Sequence, residues 1–375
     1  MAIDDSDLHQ LQHCLRLAES VVGLTEPNPR VGCVLAEAGG RVVGSGATRE
    51  AGAAHAEVMA LRDAEGQDLR GATVWVSLEP CAHHGRTPPC CDALIAAGIA
   101  RVVVACIDPN PLVGGQGVAR LRAAGIQVDL ADGDIARAAR ELNIGFFSRM
   151  QRGRPWVRMK IAASLDGRTA LNNGLSQWIT GEAARTDGHA WRRRASALLT
   201  GIGTVLEDDP RLDVRLVATP RQPLRVIVDS RLQTPPQARI LDAPGQVLIY
   251  TASGNDASAQ PLRDRGAELA VLPGPEGKVD LAAMLADLAR RGINELHVEA
   301  GHKLNASLLR EGLVDELLVY LAPKLLGLGR EMAAFGPLQT LAEALRFEFT
   351  QVDRVGSDLR VLARPPGRTD FLDDN

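Results

Sequence analysis

Aromatic residues are scarce: Phe, Trp and Tyr together make up 3% of the 375 residues. Proteins that hold single-stranded nucleic acid stack bases on such rings, so the shortage counts against that function. Basic charge is short as well. Lys and Arg number 42 against 46 Asp and Glu, a formal net charge of −4, where a nucleic-acid-binding domain usually shows a basic face. No apolar run approaches the roughly 18 residues of a membrane span. The opening MAIDDSDLHQ is acidic and polar, unlike a secretory signal. These absences imply a cytoplasmic protein with neither membrane nor nucleic acid as partner. Cysteine is confined: all six lie between Cys14 and Cys106. A cytosolic chain keeps its thiols reduced, which leaves metal ligation or core packing for them.

What is present fits a soluble enzyme of two domains, since 375 residues exceed one ordinary core. Leu8, Leu11, Leu15, Ala18 and Val22 recur at helical spacing, with Asp5 or Ser6 as the cap. The Pro-rich loop 26–32 leads into a strand at 31–35, and a Gly-Gly turn joins it to a second strand at 41–43. Helix 54–64, strand 72–77, a helix starting at Cys90, strand 101–106, helix 117–124, strand 126–130 and helix 135–147 follow. A hairpin followed by α-β-α-β units predicts a mixed, mostly parallel sheet with helices on both faces. The pattern restarts at the basic stretch Gln151-Arg152-Gly153-Arg154-Pro155. Strands are expected at 156–163, 197–200, 224–228, 247–250, 268–272, 296–299 and 317–321, with helices at 182–194, 281–290 and 303–311. Two last strands, 346–352 and 359–363, read as an antiparallel pair. The domains are therefore expected at 1–150 and 151–365, with 366–375 a polar, disordered tail.

Chemistry concentrates between His55 and Cys91. His55-Ala56-Glu57 opens a helix, and Glu79-Pro80-Cys81 stands past a strand end. H-x-E followed by P-C and a further Cys is the pattern of a zinc deaminase. One His and two thiolates hold Zn²⁺ and leave a fourth position for water. Glu57 lies beside the metal without binding it, as a catalytic proton carrier must. A structural zinc knuckle would need a fourth protein ligand, for which the spacings are poor. Spacing alone leaves the third ligand open, since Cys90 and Cys91 are adjacent and His83 and His84 are near. Cys90 is taken as the ligand with His55 and Cys81, and Cys91 as a small core residue.

PNPRVG, HAEV, EPCAHHGRTPPC and DPNPLVGGQG together resemble the deaminase half of the bifunctional deaminase–reductases of riboflavin biosynthesis, the RibD family. The resemblance implies a cytidine-deaminase-like three-layer domain acting on a diaminopyrimidinone ribotide. It also implies that Asn28 holds the pyrimidine and Arg86 meets the phosphate, for which a guanidinium is suited. One departure stands out: family members commonly carry His seven positions before the zinc His, and this chain has Thr48 there.

The second half is similar to the family's reductase, a dihydrofolate-reductase-like α/β domain. The similarity lies in Lys160-Ile161-Ala162-Ala163-Ser164-Leu165-Asp166-Gly167-Arg168, Ser176-Gln177-Trp178-Ile179-Thr180, Thr204 to Pro210 and Val298-Glu299-Ala300-Gly301. Read from its residues alone, this half is less explicit. Gly201-x-Gly203 lacks the third Gly of a dinucleotide fingerprint, whereas a helix opening at Gly301 offers N–H groups to a phosphate. By resemblance, NADPH reduces the ribosyl group to ribityl. Ala162, Trp178, Thr204, Asp208, Ser230 and the run Gly301, His302, Lys303, Leu304, Asn305, Ala306 and Ser307 would hold that cofactor. Ser176, Arg192, Leu212, Arg215 and Glu299 would touch the ribotide, and Lys160 and Asp208 are candidates for moving protons at the ribose. Arg192, Arg193 and Arg194 are adjacent on a helix and point apart; one or two face the site and the rest are expected in solvent. A homo-oligomer is also implied. The alternative, weighed from the HAE and PC motifs alone, is a zinc-dependent nucleic-acid deaminase with an accessory RNA-binding domain.

Overall fold

The computed structural model describes residues 3–83, 88–254 and 256–373. The chain forms two compact units, one holding the chain up to Gly153 and from Thr369 onward, the other Arg154–Arg368. No helix among the described residues is long and apolar enough to cross a membrane.

The first unit runs α1 (Asp5–Ser20), β1 (Gly32–Ala36), β2 (Val42–Ala47), α2 (Ala56–Asp63), β3 (Thr73–Val76) and α3 (Cys90–Ala96). It continues β4 (Arg101–Val104), α4 (Gln116–Ala123), β5 (Gln127–Leu130), α5 (Gly133–Leu142) and α6 (Ile144–Arg152). Its sheet has the order β2-β1-β3-β4-β5, with β1 antiparallel to both neighbours and β3, β4 and β5 parallel. Every residue of β1 is buried, as expected of a strand covered on both faces. Glycines let the helices lie close: a Cβ on Gly32 would stand 2.0 Å from Cys14 O, and one on Gly46 2.6 Å from Ala60 N. The second approach seats the start of α2, and with it His55, against the sheet.

Three local expectations change. The cap of α1 is Asp4, whose carboxylate accepts the Asp7 N–H at 2.9 Å. The single helix read over 135–147 is two helices that part at Asn143. That side chain accepts the Arg30 N–H at 2.8 Å and donates to Arg30 O at 2.9 Å, which ties the break to the loop before β1. α6 then runs through the first part of the expected linker and stops at Gly153, whose φ of 65° suits glycine. The tail expected to be disordered instead makes a 3₁₀ turn at Asp370–Leu372. Leu372 is fully buried, its carbonyl accepts from Arg140 Nη1 at 2.9 Å, and the Arg152 guanidinium sits 4.5 Å from the Phe371 ring. One Leu and one Phe thus anchor an otherwise polar segment; Asp374 and Asn375 lie outside the described residues.

The second unit begins β6 (Trp156–Ser164), β7 (Arg168–Leu171), α7 (Glu182–Arg194), β8 (Ala197–Gly201), α8 (Ile202–Asp208), β9 (Leu224–Val228) and α9 (Arg239–Asp242). It goes on through β10 (Val247–Thr251), α10 (Asp256–Asp264), β11 (Glu268–Val271), α11 (Leu281–Arg290), β12 (Glu295–Val298) and α12 (His302–Arg310). It ends with β13 (Glu316–Ala322), β14 (Gly329–Glu331), β15 (Glu348–Val355) and β16 (Asp358–Arg364). The nine-stranded sheet has the order β11-β10-β9-β8-β12-β6-β13-β16-β15. It is parallel as far as β13, and β16 and β15 close it antiparallel. After running outward from β8 to β11, the chain returns to place β12 between β8 and β6. Strand order reverses there, and in such sheets ligands bind beyond the carboxyl ends of the strands flanking the reversal. α10 and the small β7–β14 sheet were not legible in the pattern.

Replacing Leu372 by Ala should destabilise the first unit by about 2–5 kcal/mol, the usual range for emptying a buried leucine site. Urea unfolding measures this, and an unchanged midpoint would mean that the C-terminal turn does not support the unit.

Candidate active sites

Three chain segments meet at the carboxyl end of the first sheet. His55 is the N-cap of α2 but makes no capping bond; its ring turns toward two thiols. Cys81 follows β3, and Cys90 is the first residue of α3. His55 Nδ1 lies 3.6 Å from Cys81 Sγ and 3.4 Å from Cys90 Sγ, and the Cys90 N–H donates to Cys81 Sγ at 3.3 Å. A tetrahedral zinc ion with Zn–N near 2.05 Å and Zn–S near 2.3 Å would separate N from S by about 3.6 Å. The donor set therefore fits zinc in both chemistry and spacing, and it is the one metal-capable cluster of its kind among the described residues. Cys91 is turned away. Its thiol donates to Pro80 O at 3.3 Å, it is fully buried, and burial pushes it up to about 12.

Glu57 sits in the first turn of α2, 3% exposed, with its carboxyl beside the Cys90 thiol. Burial, and then the charge of Cys81, push this carboxyl up to about 7. The Cys90 thiol shares its proton with Cys81, which lowers Cys81 and raises Cys90. A cavity of about 360 Å³ opens in front of these groups, and Asn28, Thr48, Asp108, Asn110 and Arg149 stand on its wall. Arg86 lies outside the described residues. Thr48 is buried, with its Oγ1 3.5 Å from Val31 O.

Glu79 had been read only as part of the motif. Its buried carboxylate accepts the N–H groups of Asp108 at 3.1 Å, Gly115 at 2.9 Å and Val118 at 3.0 Å. It thereby fixes the loop between β4 and α4, which carries Asp108 and Asn110 to the cavity. A Cβ on Gly117 would lie 2.0 Å from Pro80 O, so glycine is needed where the start of α4 crosses the Cys81 segment. Burial raises the Asp108 carboxyl to about 6. The sequence signal for these residues was the DPNPLVGGQG stretch, which carried the resemblance without a role for its Asp or Asn.

The second unit holds a cavity of about 670 Å³ at the strand reversal. Ala162, Ser176, Trp178, Arg192, Thr204, Asp208, Leu212, Arg215, Glu299, Gly301, His302 and Asn305 all line it. Ser230, Lys303, Leu304, Ala306 and Ser307 are not brought to its wall. The Ser230 hydroxyl accepts the Val279 N–H at 3.1 Å, and Ser307 bonds back to Lys303 O at 3.3 Å within α12. A helix presents only one side of its first turns to a ligand, so seven consecutive residues could not all reach.

Glu299, just past β12, receives Arg192 through two bonds of 2.5 and 2.9 Å and lies 3.6 Å from Lys160 Nζ. Burial alone would raise its carboxyl; Arg192 and then Lys160 overturn this and hold it well below the usual range. His189 accepts the Arg215 N–H at 3.2 Å, and burial, with Arg192 and Arg215 beside it, pushes its ring down to about 4. His189 and Tyr320 line the cavity and were missed, as neither stands in a motif. Arg194 is not in solvent as expected: its Nε donates to the buried Glu295 at 2.9 Å. α12 starts at Gly301 without a side-chain cap, and Asn305 Oδ1 is buried without a protein partner. Free helix-start N–H groups fit the phosphates of an anionic cofactor such as NADPH, and the orphaned Asn305 Oδ1 can accept a hydrogen bond from one of its N–H or hydroxyl groups.

Residues 155–361 match the RibD C-terminal domain, and residues 5–106 the zinc-binding region of cytidine and deoxycytidylate deaminases. The Escherichia coli riboflavin biosynthesis protein RibD is 44% identical over 366 residues, covering 94% of this chain and 98% of that protein. The chain belongs to the RibD family. The Aquifex aeolicus member is 42% identical over 357 residues, covering 95% of this chain and 98% of its own. The Acinetobacter baumannii RibD structure superposes with a TM-score of 0.87 at 41% identity, over 96% of this chain and 99% of that one. A Thermotoga maritima structure, described as a diaminohydroxyphosphoribosylaminopyrimidine deaminase and 5-amino-6-(5-phosphoribosylamino)uracil reductase, gives 0.85 at 33% identity over 96% and 99%. Like other RibD proteins, the chain is a bifunctional enzyme of riboflavin biosynthesis, a zinc-dependent deaminase and an NADPH-dependent reductase. A nucleic-acid deaminase is not favoured, because the second unit is a RibD reductase domain.

Exchanging Cys91 for Ala should leave about one zinc per chain, and exchanging Cys90 for Ala should remove it. Elemental analysis of the purified variants decides between them; zinc lost from the Cys91 variant and kept by the Cys90 variant would reverse the ligand assignment.

Proposed function

We propose that the first site deaminates 2,5-diamino-6-(5-phosphoribosylamino)pyrimidin-4(3H)-one, and that the second reduces the ribosyl group of the product to ribityl. The observation that carries this reading is the placement of the Glu57 carboxyl beside a His55–Cys81–Cys90 group spaced for zinc. Zinc, when bound, supplies a Lewis acid that makes water acidic near neutral pH. Glu57 takes a proton and returns it to the leaving ammonia. Its buried position raises the carboxyl above its ordinary value, which suits a group that must hold a proton and give it up again. Asn28 holds the pyrimidine, and Arg86 meets the phosphate.

In the second site NADPH, when bound, supplies the reducing equivalents. Gly301 and His302, with Thr204 across from them, receive its phosphates, while Ala162, Trp178, Asp208 and Asn305 complete the cofactor wall. Glu299 is held charged and fixed by Arg192, so it can accept hydrogen bonds from the ribose hydroxyls without moving. Lys160, at the same carboxylate, is the group placed to move a proton at the ribose. Ser176, Leu212 and Arg215 complete the substrate wall. The protein works in the cytoplasm, a reading supported by six unpaired cysteines, two of them in the zinc group.

Glu57→Gln should keep its zinc and lose ammonia release by at least ~100-fold, the usual scale for a proton carrier. It should still reduce 5-amino-6-(5-phosphoribosylamino)uracil at the wild-type rate. Ammonia release close to wild type in that variant would refute the proposed role.

A further inference from the structure

The ribotide carries a phosphate dianion, and the described wall of the first cavity offers little fixed positive charge to meet it; His83, also on that wall, is a cation only when protonated. Zinc with two thiolates and a neutral imidazole has no net formal charge. Glu57, Glu79 and Asp108 on the wall are carboxyl groups. Thr48 is uncharged. Among the described lining residues, Arg149 is the single Lys or Arg.

Arg149 is also held in place. It projects from α6, its guanidinium 5.5 Å from the Phe146 ring, and its Nη2 donates to Pro27 O at 3.2 Å. Pro27, Asn28 and Pro29 form the adjoining wall, so the same bond ties the loop that carries Asn28 to the cation. Burial lowers this guanidinium from its ordinary value, against the pull of Glu26, so it stands partly stripped of water. A partly dehydrated guanidinium already fixed on two sides loses little freedom on binding a phosphate.

We propose that Arg149 is a specificity residue of the deaminase site and binds the 5′-phosphate of the ribotide, as a second cation in addition to Arg86. The proposal rests on the ribotide reading given above. It separates Arg149 from a merely structural clasp on the Pro27 loop, since a clasp would serve phosphorylated and unphosphorylated substrates alike.

The test compares deamination of the ribotide with that of the same compound lacking its phosphate. In Arg149→Gln the ratio of the two kcat/KM values, ribotide over riboside, should fall roughly 10- to 100-fold through a raised ribotide KM. Arg149→Lys keeps the charge and should recover part of the ratio. An unchanged ratio in the Gln variant overturns the proposal, as loss of a clasp would lower both substrates together. Should the Gln variant be inactive on both, its equilibrium binding of the two compounds decides: ribotide weakened more than riboside supports phosphate binding, and equal weakening refutes it. NADPH reduction of the deaminated product reports that the rest of the chain is intact. If wild-type protein discriminates ribotide from riboside by less than twofold, the ribotide reading itself fails, and this proposal with it.

Discussion

Two thiols from separate chain segments come within 3.4 to 3.6 Å of one imidazole nitrogen on a third, and the first unit is arranged to allow it. His55 can stand there only if α2 starts close on β2, which Gly46 permits. Cys81 can stand there only if the turn after β3 is held, and the buried Glu79 carboxylate holds it through three backbone N–H groups. Cys90 comes with the first turn of α3, whose N–H already points at Cys81 Sγ. Without the ion, two thiols and a carboxyl would share a buried corner at the cost of their charged forms. With it, the thiolates are compensated, and Glu57 remains the one proton carrier beside them.

The second unit solves a different problem with the same sheet logic. Its strand reversal opens a crevice, and two helix starts, Ile202 and His302, stand at neighbouring strand ends. Its carboxylates are not left to the solvent. Glu299 is bound by Arg192, Asp213 by Arg211 and Arg215, and the Arg215 N–H is taken by His189. Such a chain of partners fixes the position of each charge before substrate arrives, the form of preorganisation on which positioning depends.

Much of this was legible in the order of residues. The strands of both sheets follow runs of Val, Leu and Ile, and the zinc group follows its motif, because local chemistry decides both. What was not legible depended on distant partners. Asn143 breaks a helix because Arg30 is 113 positions away in sequence and against it in space. The C-terminal turn is ordered by Leu372, which finds its pocket on a unit that the chain left at Gly153. Arg194 reads as a solvated charge until Glu295 is found buried beside it. Adjacent Cys90 and Cys91 differ only in direction, which spacing does not encode but the first turn of α3 does.

The central claim is that one chain removes ammonia first and reduces afterwards, at two separate sites. The most direct measurement follows ammonia and 340-nm absorbance separately during turnover of the aminopyrimidine ribotide, with and without NADPH. Ammonia should appear at the same rate in both conditions, and absorbance should fall only with NADPH present and only behind the ammonia. Loss of absorbance ahead of ammonia, or ammonia release that requires NADPH, would contradict that order.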